Sequence, residues 1–259
     1  VATGIKVTRP DLMVWVVTGD GDGLSIGGNH LIHAMRRNVD LKILLFNNRI
    51  YGLTKGQYSP TSEQGKKTKS TPLGSLDRPF NPLSVAIGAG ATFVARTIDI
   101  DSQHLQYVLR RAAEHKGTAF VEIYQNCIVF NDGAFESVTD KAVRSDRLLV
   151  LEHGKPLVFG KERKKGLRLR PDMSPEVVEI DGDTSGLLVH DETRREEAYH
   201  FMLSQLKGPD FPEPIGVIRA VREPTYEELV TEQGRMACEQ WGEGDLRKLL
   251  YSGETWVVP

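Results

Sequence analysis

The chain has 259 residues, with 33 Lys plus Arg against 35 Asp plus Glu and a net charge of −2. That length suits one large domain, or a domain with an appended extension, and the charge balance excludes the strongly basic face of a nucleic-acid binder. No apolar run reaches membrane-spanning length and no signal peptide opens the chain, so neither nucleic acid nor membrane is an expected partner and a cytoplasmic location is the default.

Val1 stands where Met is expected, and residues 1–6 read as the tail of a helix already under way. The natural protein is therefore expected to begin upstream. Residues 12–17 predict a buried strand. Residues 28–37 repeat apolar positions (Leu31, Ile32, Met35) at helical spacing, and 41–46 form a second apolar run of strand length. Residues 55–82 mix Gly, Pro, Ser, Thr and Lys with little periodicity, which predicts a long functional loop. A short helix is expected over 82–89 and a third strand over 91–95. An amphipathic helix follows over 102–116, with Leu105, Val108, Leu109 and Ala112 on one face, then a fourth strand over 120–124.

This β-α-β-α order predicts an α/β fold over residues 1–140, with a mostly parallel sheet flanked by helices. Beyond about residue 140 the rhythm fades. Strand-like pieces at 148–151 and 156–159 flank the basic run 161–165, read as a solvated hairpin. Residues 187–190 read as a further strand, and helices are expected near 193–207 and 225–250. Residues 141–259 are thus expected to form an α+β extension that packs on the core or on a partner subunit.

The chemistry concentrates where the first two strands end. The first runs into Gly19-Asp20-Gly21-Asp22-Gly23, and the second ends in Asn47-Asn48-Arg49-Ile50. Parallel strands deliver such segments side by side at their C-terminal ends, where open α/β sheets bind ligands. The residue types suit a magnesium diphosphate. Mg²⁺ takes about six hard oxygens and commonly shares them with phosphate. Asp20 can supply a carboxylate, Asn48 an amide oxygen and Ile50 a backbone carbonyl, with phosphate and water completing the shell. The glycines let backbone N–H groups approach the diphosphate, and a helix opening near Gly27 and Gly28 adds a positive dipole end.

Other signals carry less. No nucleotide P-loop string occurs, and the glycines at 19–28 do not fit Gly-x-Gly-x-x-Gly. His30 and His33 lie one helical turn apart without a third ligand and read as packing or polar contacts. Residues 181–192 imitate a calcium loop, but no helix enters it and a strand-like run interrupts it, so calcium is not expected. Cys127 and Cys238 make no disulfide framework, and Cys238 reads as a packed small apolar residue.

Taken together, Gly19-Asp20-Gly21, with Asn47-Asn48 following 28 residues later, resembles the motif of thiamine diphosphate enzymes. The wider string, running through Gly27-Gly28-Asn29-His30, then Asn47-Asn48-Arg49-Ile50-Tyr51-Gly52-Leu53-Thr54-Lys55-Gly56-Gln57 to Ser59-Pro60-Thr61, is similar to the β subunits of 2-oxoacid:ferredoxin oxidoreductases. The resemblance covers about residues 1–140. It implies a thiamine diphosphate-binding fold and gives Asp20, Asn48 and Ile50 to magnesium. Gly19, Gly21, Asp22, Gly52 and Leu53 fall to the cofactor, and Lys55 lies near the substrate or coenzyme A. It also implies that Cys127 is the last of four cysteines holding a [4Fe–4S] cluster, the other three lying upstream of Val1. The implied reaction is reversible oxidative decarboxylation of a 2-oxoacid with coenzyme A, reducing ferredoxin. The resemblance at residues 27–33 favours 2-oxoglutarate, with pyruvate open. An α subunit would supply the pyrimidine-binding domain, in a heterotetramer. The alternatives are a non-oxidative thiamine diphosphate decarboxylase or synthase subunit, against which Cys127 and the 51–57 string speak, and a non-catalytic scaffold, against which Asp20 and Asn48 speak.

Overall fold

The computed structural model describes residues 1–258. Helix α1 (Ala2–Thr8) leads into β1 (Val14–Gly19), α2 (Asp20–Leu24), α3 (Gly28–Arg36) and β2 (Leu41–Asn47). After the long loop come α4 (Pro82–Gly88), β3 (Phe93–Ile98), α5 (Ser102–Glu114) and β4 (Ala119–Tyr124). The strands and helices expected of this half are all present, with bounds shifted by a few residues. Helix α4 starts where Asn81 accepts a hydrogen bond from the Ser84 N–H and Pro82 occupies the first turn, where its missing N–H costs nothing.

Later elements are short: α6 (Glu136–Thr139), α7 (Arg144–Arg147), β5 (Leu148–Val150), β6 (Val158–Phe159), a 3₁₀ turn over Lys161–Arg163, β7 (Lys165–Leu169) and β8 (Pro175–Glu179). Then follow α8 (Glu197–Gln205), β9 (Glu213–Ala220), α9 (Tyr226–Trp241) and α10 (Leu246–Leu250). The main sheet has the order β1-β2-β4-β3-β9-β5. All its neighbours are parallel except β3 and β9. Strands β6, β7 and β8 make a separate antiparallel sheet, and the basic run turns between β6 and β7.

Two expectations need correcting. Residues 187–190 form no strand; Val189 makes only an isolated bridge to Pro156. Residues 213–220, in which no strand was expected, form β9, nearly all of it buried. Pro214 and Gly216 punctuate that run like a turn. Gly216 sits at φ +112°, and a Cβ there would lie 2.9 Å from the Leu151 carbonyl. The pairing of β3 with β9 shifts register between Val94 and Ala95, where β9 comes to face Arg96 through Gly216. Two strands from beyond residue 140 therefore complete the same sheet as the first half.

Alternation of side chains along each strand divides the core between the two faces of the sheet. Leu45, Val94, Phe120 and Ile218 pack with Met35, Leu83 and Leu203 on one face. Leu44, Phe93, Val121 and Val217 pack with Val108 and Ala112 on the other. Strand β1 is an edge, and Val17 is 67% exposed. No helix is long and apolar enough to cross a membrane among the described residues.

Charged groups pin the edge of the sheet far from the motif loops. Asp40 bridges Lys6 at 2.8 Å and Lys42 at 2.6 Å, and Lys42 donates to the His115 carbonyl. The His115 ring, buried beside Phe93 and in contact with the Thr92 hydroxyl at 2.9 Å, is pushed down to about 4 by burial and by Lys42 and Arg222. The unfolded chain takes up this proton below about pH 6.5, the folded chain only below about 4. Between those values the unfolded state holds more protons, so stability falls as pH falls. This group alone accounts for at most about 3 kcal/mol. Thermal melts from pH 7 to 4 are expected to show that loss, and His115→Gln to flatten it. An unaltered slope would assign the effect to the half-buried His104 and the buried His190 and His200.

Candidate active site at the C-terminal edge of the sheet

Strands β1 and β2 pair in parallel, with Gly19 opposite Phe46. The residues that follow, Asp20 and Asn47-Asn48, therefore emerge side by side, as their motif spacing predicts. Strand β4 lies next to β2, with Tyr124 opposite Asn47. The Gln125 N–H donates to the Asn47 carbonyl at 2.9 Å, which seats the Cys127 loop against the same edge.

Asp20 opens α2 and is 1% exposed. The hydroxyls of Ser59 and Thr61 both donate to its Oδ2, each at 2.5 Å. Its side-chain partners among the described residues are these neutral groups alone. Burial pushes its carboxyl up, and the hydroxyls and the Asn48 backbone pull it only partly back. A buried carboxylate with no cation is electrostatically incomplete, and a metal ion would supply the missing charge.

The second segment offers neutral oxygens. Arg49 takes a left-handed backbone, φ +55°, which turns the chain sharply after β2. The Asn48 side-chain oxygen meets the Ile50 N–H at a long 3.3 Å. No donor among the described residues reaches the Ile50 carbonyl within hydrogen-bond distance. One carboxylate oxygen, one amide oxygen and one free carbonyl fit a hard cation that shares its shell with phosphate. The described residues hold no cluster of three or more His, Cys, Asp or Glu able to bind a metal. The oxygen-only donor set at Asp20, Asn48 and Ile50 suits magnesium rather than zinc.

The glycines serve distinct contacts. A Cβ on Gly21 would lie 2.3 Å from the Tyr51 ring, and the Tyr51 hydroxyl donates to the Gly21 carbonyl at 3.0 Å. Gly21 thus lets the two motif loops lock together. Gly19, Gly28 and Gly52 face open space, and Asp22 is exposed. A cavity of about 610 Å³ runs past Asp22, Gly23 and Gly27 toward His30 and His33; Asp20 lies outside its lining.

Lys55 is set apart from this cluster. It occupies an exposed turn at φ +64°, its N–H bonded to the Gly52 carbonyl at 3.0 Å. Leu53 on the same turn is 95% exposed. Cys127 is partly buried with a free thiol. Asn131, whose N–H donates to the Cys127 carbonyl, also donates through its side chain to the Asn48 carbonyl, both at 2.9 Å. Cys127 therefore belongs to the Asp20 edge, whereas Cys238, expected as a packed small apolar residue, is instead exposed on α9.

Sequence reasoning assigned no role to Ser59, Thr61, Arg96, Glu122 or Asn131, which hold this site together. The signal for two of them was present: Arg96 and Glu122 are charges inside otherwise apolar strands, positions that tolerate a charge only when it is paired.

Comparison with known proteins agrees with this geometry. Residues 1–123 match the family described as thiamine pyrophosphate enzyme, C-terminal TPP binding domain. The chain is 49% identical to the 2-oxoglutarate oxidoreductase subunit KorB of Mycobacterium tuberculosis, over all of this chain and 70% of that protein. It is 46% identical to the 2-oxoacid:ferredoxin oxidoreductase subunit beta of Saccharolobus solfataricus, over 55% of this chain and 47% of that protein. The chain thus spans most of the first relative and matches about half the length of the second. A solved structure of 2-oxoglutarate:ferredoxin oxidoreductase from Magnetococcus marinus, with 2-oxoglutarate, coenzyme A and succinyl-CoA bound, superposes with a TM-score of 0.69. It is 30% identical, and the match covers 98% of this chain and 72% of that one.

Proposed function

The chain belongs to the family of 2-oxoacid:ferredoxin oxidoreductase β subunits, and from that membership we propose that it anchors thiamine diphosphate and magnesium in an enzyme oxidising 2-oxoglutarate. The reaction is decarboxylation with coenzyme A to succinyl-CoA and CO₂, with electrons passed to ferredoxin, and it is reversible. The observation that carries this reading is the buried Asp20 carboxylate, bonded to neutral groups and to no cation, at the same sheet edge as the Asn48 amide and the free Ile50 carbonyl. Thiamine diphosphate, when bound, supplies the nucleophilic carbon and the electron sink that loss of CO₂ from a 2-oxoacid requires.

This chain's own residues hold and orient. Asp20, Asn48 and Ile50 ligate magnesium. Gly19, Gly21, Asp22, Gly52 and Leu53 border the cofactor, and Cys127 contributes one ligand to a [4Fe–4S] cluster. Ile26 and Leu53, 88% and 95% exposed at the rim, fit a site completed by an α subunit that carries the pyrimidine-binding half. The substrate choice follows the names of the mycobacterial and Magnetococcus proteins, and the proposed location is the cytoplasm.

Lys55 is the cation on the projecting turn, where it can pair with a substrate carboxylate or a coenzyme A phosphate. The test is reduction of ferredoxin or viologen by the complete enzyme with a panel of 2-oxoacids. 2-Oxoglutarate is expected to give the highest kcat/KM, and a preference for pyruvate would overturn the substrate assignment. In the same assay Lys55→Ala is expected to raise KM for the 2-oxoacid or for coenzyme A roughly tenfold, the loss of one charge-assisted contact, with thiamine diphosphate affinity unchanged. Unaltered kinetics would make Lys55 an ordinary surface lysine.

A further inference from the structure

Parallel strands covered on both faces normally carry aliphatic side chains, yet β3 and β4 place Arg96 directly opposite Glu122. Glu122 is 0% exposed and Arg96 4%. Arg96 Nε donates to Glu122 Oε2 at 2.8 Å, and Glu122 Oε1 accepts from Asn47 Nδ2 at 2.7 Å. The other end of that amide, Asn47 Oδ1, accepts the Arg49 N–H at 3.2 Å and meets the Thr61 hydroxyl at 3.0 Å. Thr61 is the residue whose hydroxyl lies 2.5 Å from Asp20 Oδ2. A continuous buried path thus joins a charge pair in the sheet to the second motif loop at Arg49.

We infer that Glu122, held by Arg96, is a positioning residue for the metal ligands, acting through Asn47 on the Arg49 N–H. The inference rests on the reading of Asp20, Asn48 and Ile50 as ligands. An ionised carboxylate only accepts hydrogen bonds, so Glu122 compels Asn47 to present its NH₂ to the sheet and its oxygen to the loop. That oxygen holds the Arg49 N–H, at the left-handed residue between Asn48 and Ile50, and so sets where both of their oxygens lie. With the amide reversed, its NH₂ would face the Arg49 N–H, donor against donor, and the loop would lose its anchor. A buried ion pair is a weak device for stability, since well-packed apolar residues commonly do as well; fixing an orientation is what an apolar pair cannot do.

The experiment is titration of Mn²⁺, followed by its paramagnetic resonance signal, into the complete enzyme with thiamine diphosphate present, together with the Mg²⁺ dependence of turnover. Glu122→Gln, which keeps the shape but lets the facing groups reverse, is expected to weaken metal binding roughly 10-fold to 100-fold, as loss of a partner that orients a ligand does. Turnover at saturating Mg²⁺ is expected to recover toward that of the unaltered enzyme. Asn47→Ala, which removes the amide between Glu122 and the Arg49 N–H, is expected to give the same split between apparent metal affinity and kcat. Because Asn47 is the last residue of β2, its variant decides the matter even if Glu122→Gln does not fold. Unaltered Mn²⁺ affinity in Asn47→Ala, or in a folded Glu122→Gln, would overturn the proposal. Asp20→Ala serves as the reference: if it too bound Mn²⁺ normally, the ligand assignment would fall and not merely its positioning.

Discussion

Asp20→Ala in the complete enzyme is expected to lower thiamine diphosphate affinity about a hundredfold or more, ~3 kcal/mol, and to leave the isolated protein without bound cofactor. Asp20 is the one charged ligand in the proposed magnesium shell, and Asp22 stands exposed two residues on. Without the metal, the diphosphate would face that carboxylate with no cation between them. Asn48→Ala is expected to cost less, since water can replace a neutral oxygen. Stability should move the other way. Burial raises the Asp20 carboxyl, so the metal-free folded chain binds this proton more tightly than the unfolded chain and loses stability as pH rises through the raised value. Removing the carboxylate removes that penalty. Calorimetric titration of the cofactor and a thermal melt of the same metal-free protein separate the two effects. Unaltered cofactor affinity would show that Asp20 is not the magnesium ligand.

The parts of this architecture that were legible in the sequence are those set by local pattern. Strands β1 to β4 are apolar runs bounded by motif or loop residues, and α5 shows its face through Leu105, Val108, Leu109 and Ala112. Placement of Asp20 beside Asn47 followed from the rule that parallel strands end together. Less legible was whatever depends on distant partners. Strand β9 contains Pro214 and Gly216, which signal a turn unless it is known that the Leu151 backbone passes too close for any side chain at 216. Ser59 and Thr61 lie some 40 residues from Asp20 in the chain, and nothing local shows that their hydroxyls return to it. Arg96 and Glu122 are 26 residues apart. Each is an anomaly in its own strand, and they become intelligible as a pair only once β3 and β4 are neighbours.

Cys127→Ala in the complete enzyme is expected to remove iron and abolish ferredoxin reduction while thiamine diphosphate stays bound. The argument starts from where the loop is tied. Gln125 bonds to the Asn47 carbonyl, and Asn131 both closes on Cys127 and reaches the Asn48 carbonyl. The thiol is therefore carried on a loop hydrogen-bonded to the backbone at Asn47 and Asn48, beside the proposed magnesium ligands, with Ile128, Val129 and Phe130 exposed beside it at 77%, 71% and 38%. A cluster of the [4Fe–4S] type needs four thiolates. Cys127 supplies one, and the other described cysteine sits on α9. Residues 1–259 alone are accordingly expected to bind no iron, and Cys127 to react as a free thiol. In the complete enzyme, the iron content and an absorbance band near 400 nm should both depend on Cys127. Retained thiamine diphosphate is the control that separates loss of a cluster from collapse of the sheet edge, because Asn48 and Cys127 share that edge through Asn131. An iron content unaltered by the substitution would make Cys127 a structural cysteine and remove it from the cluster.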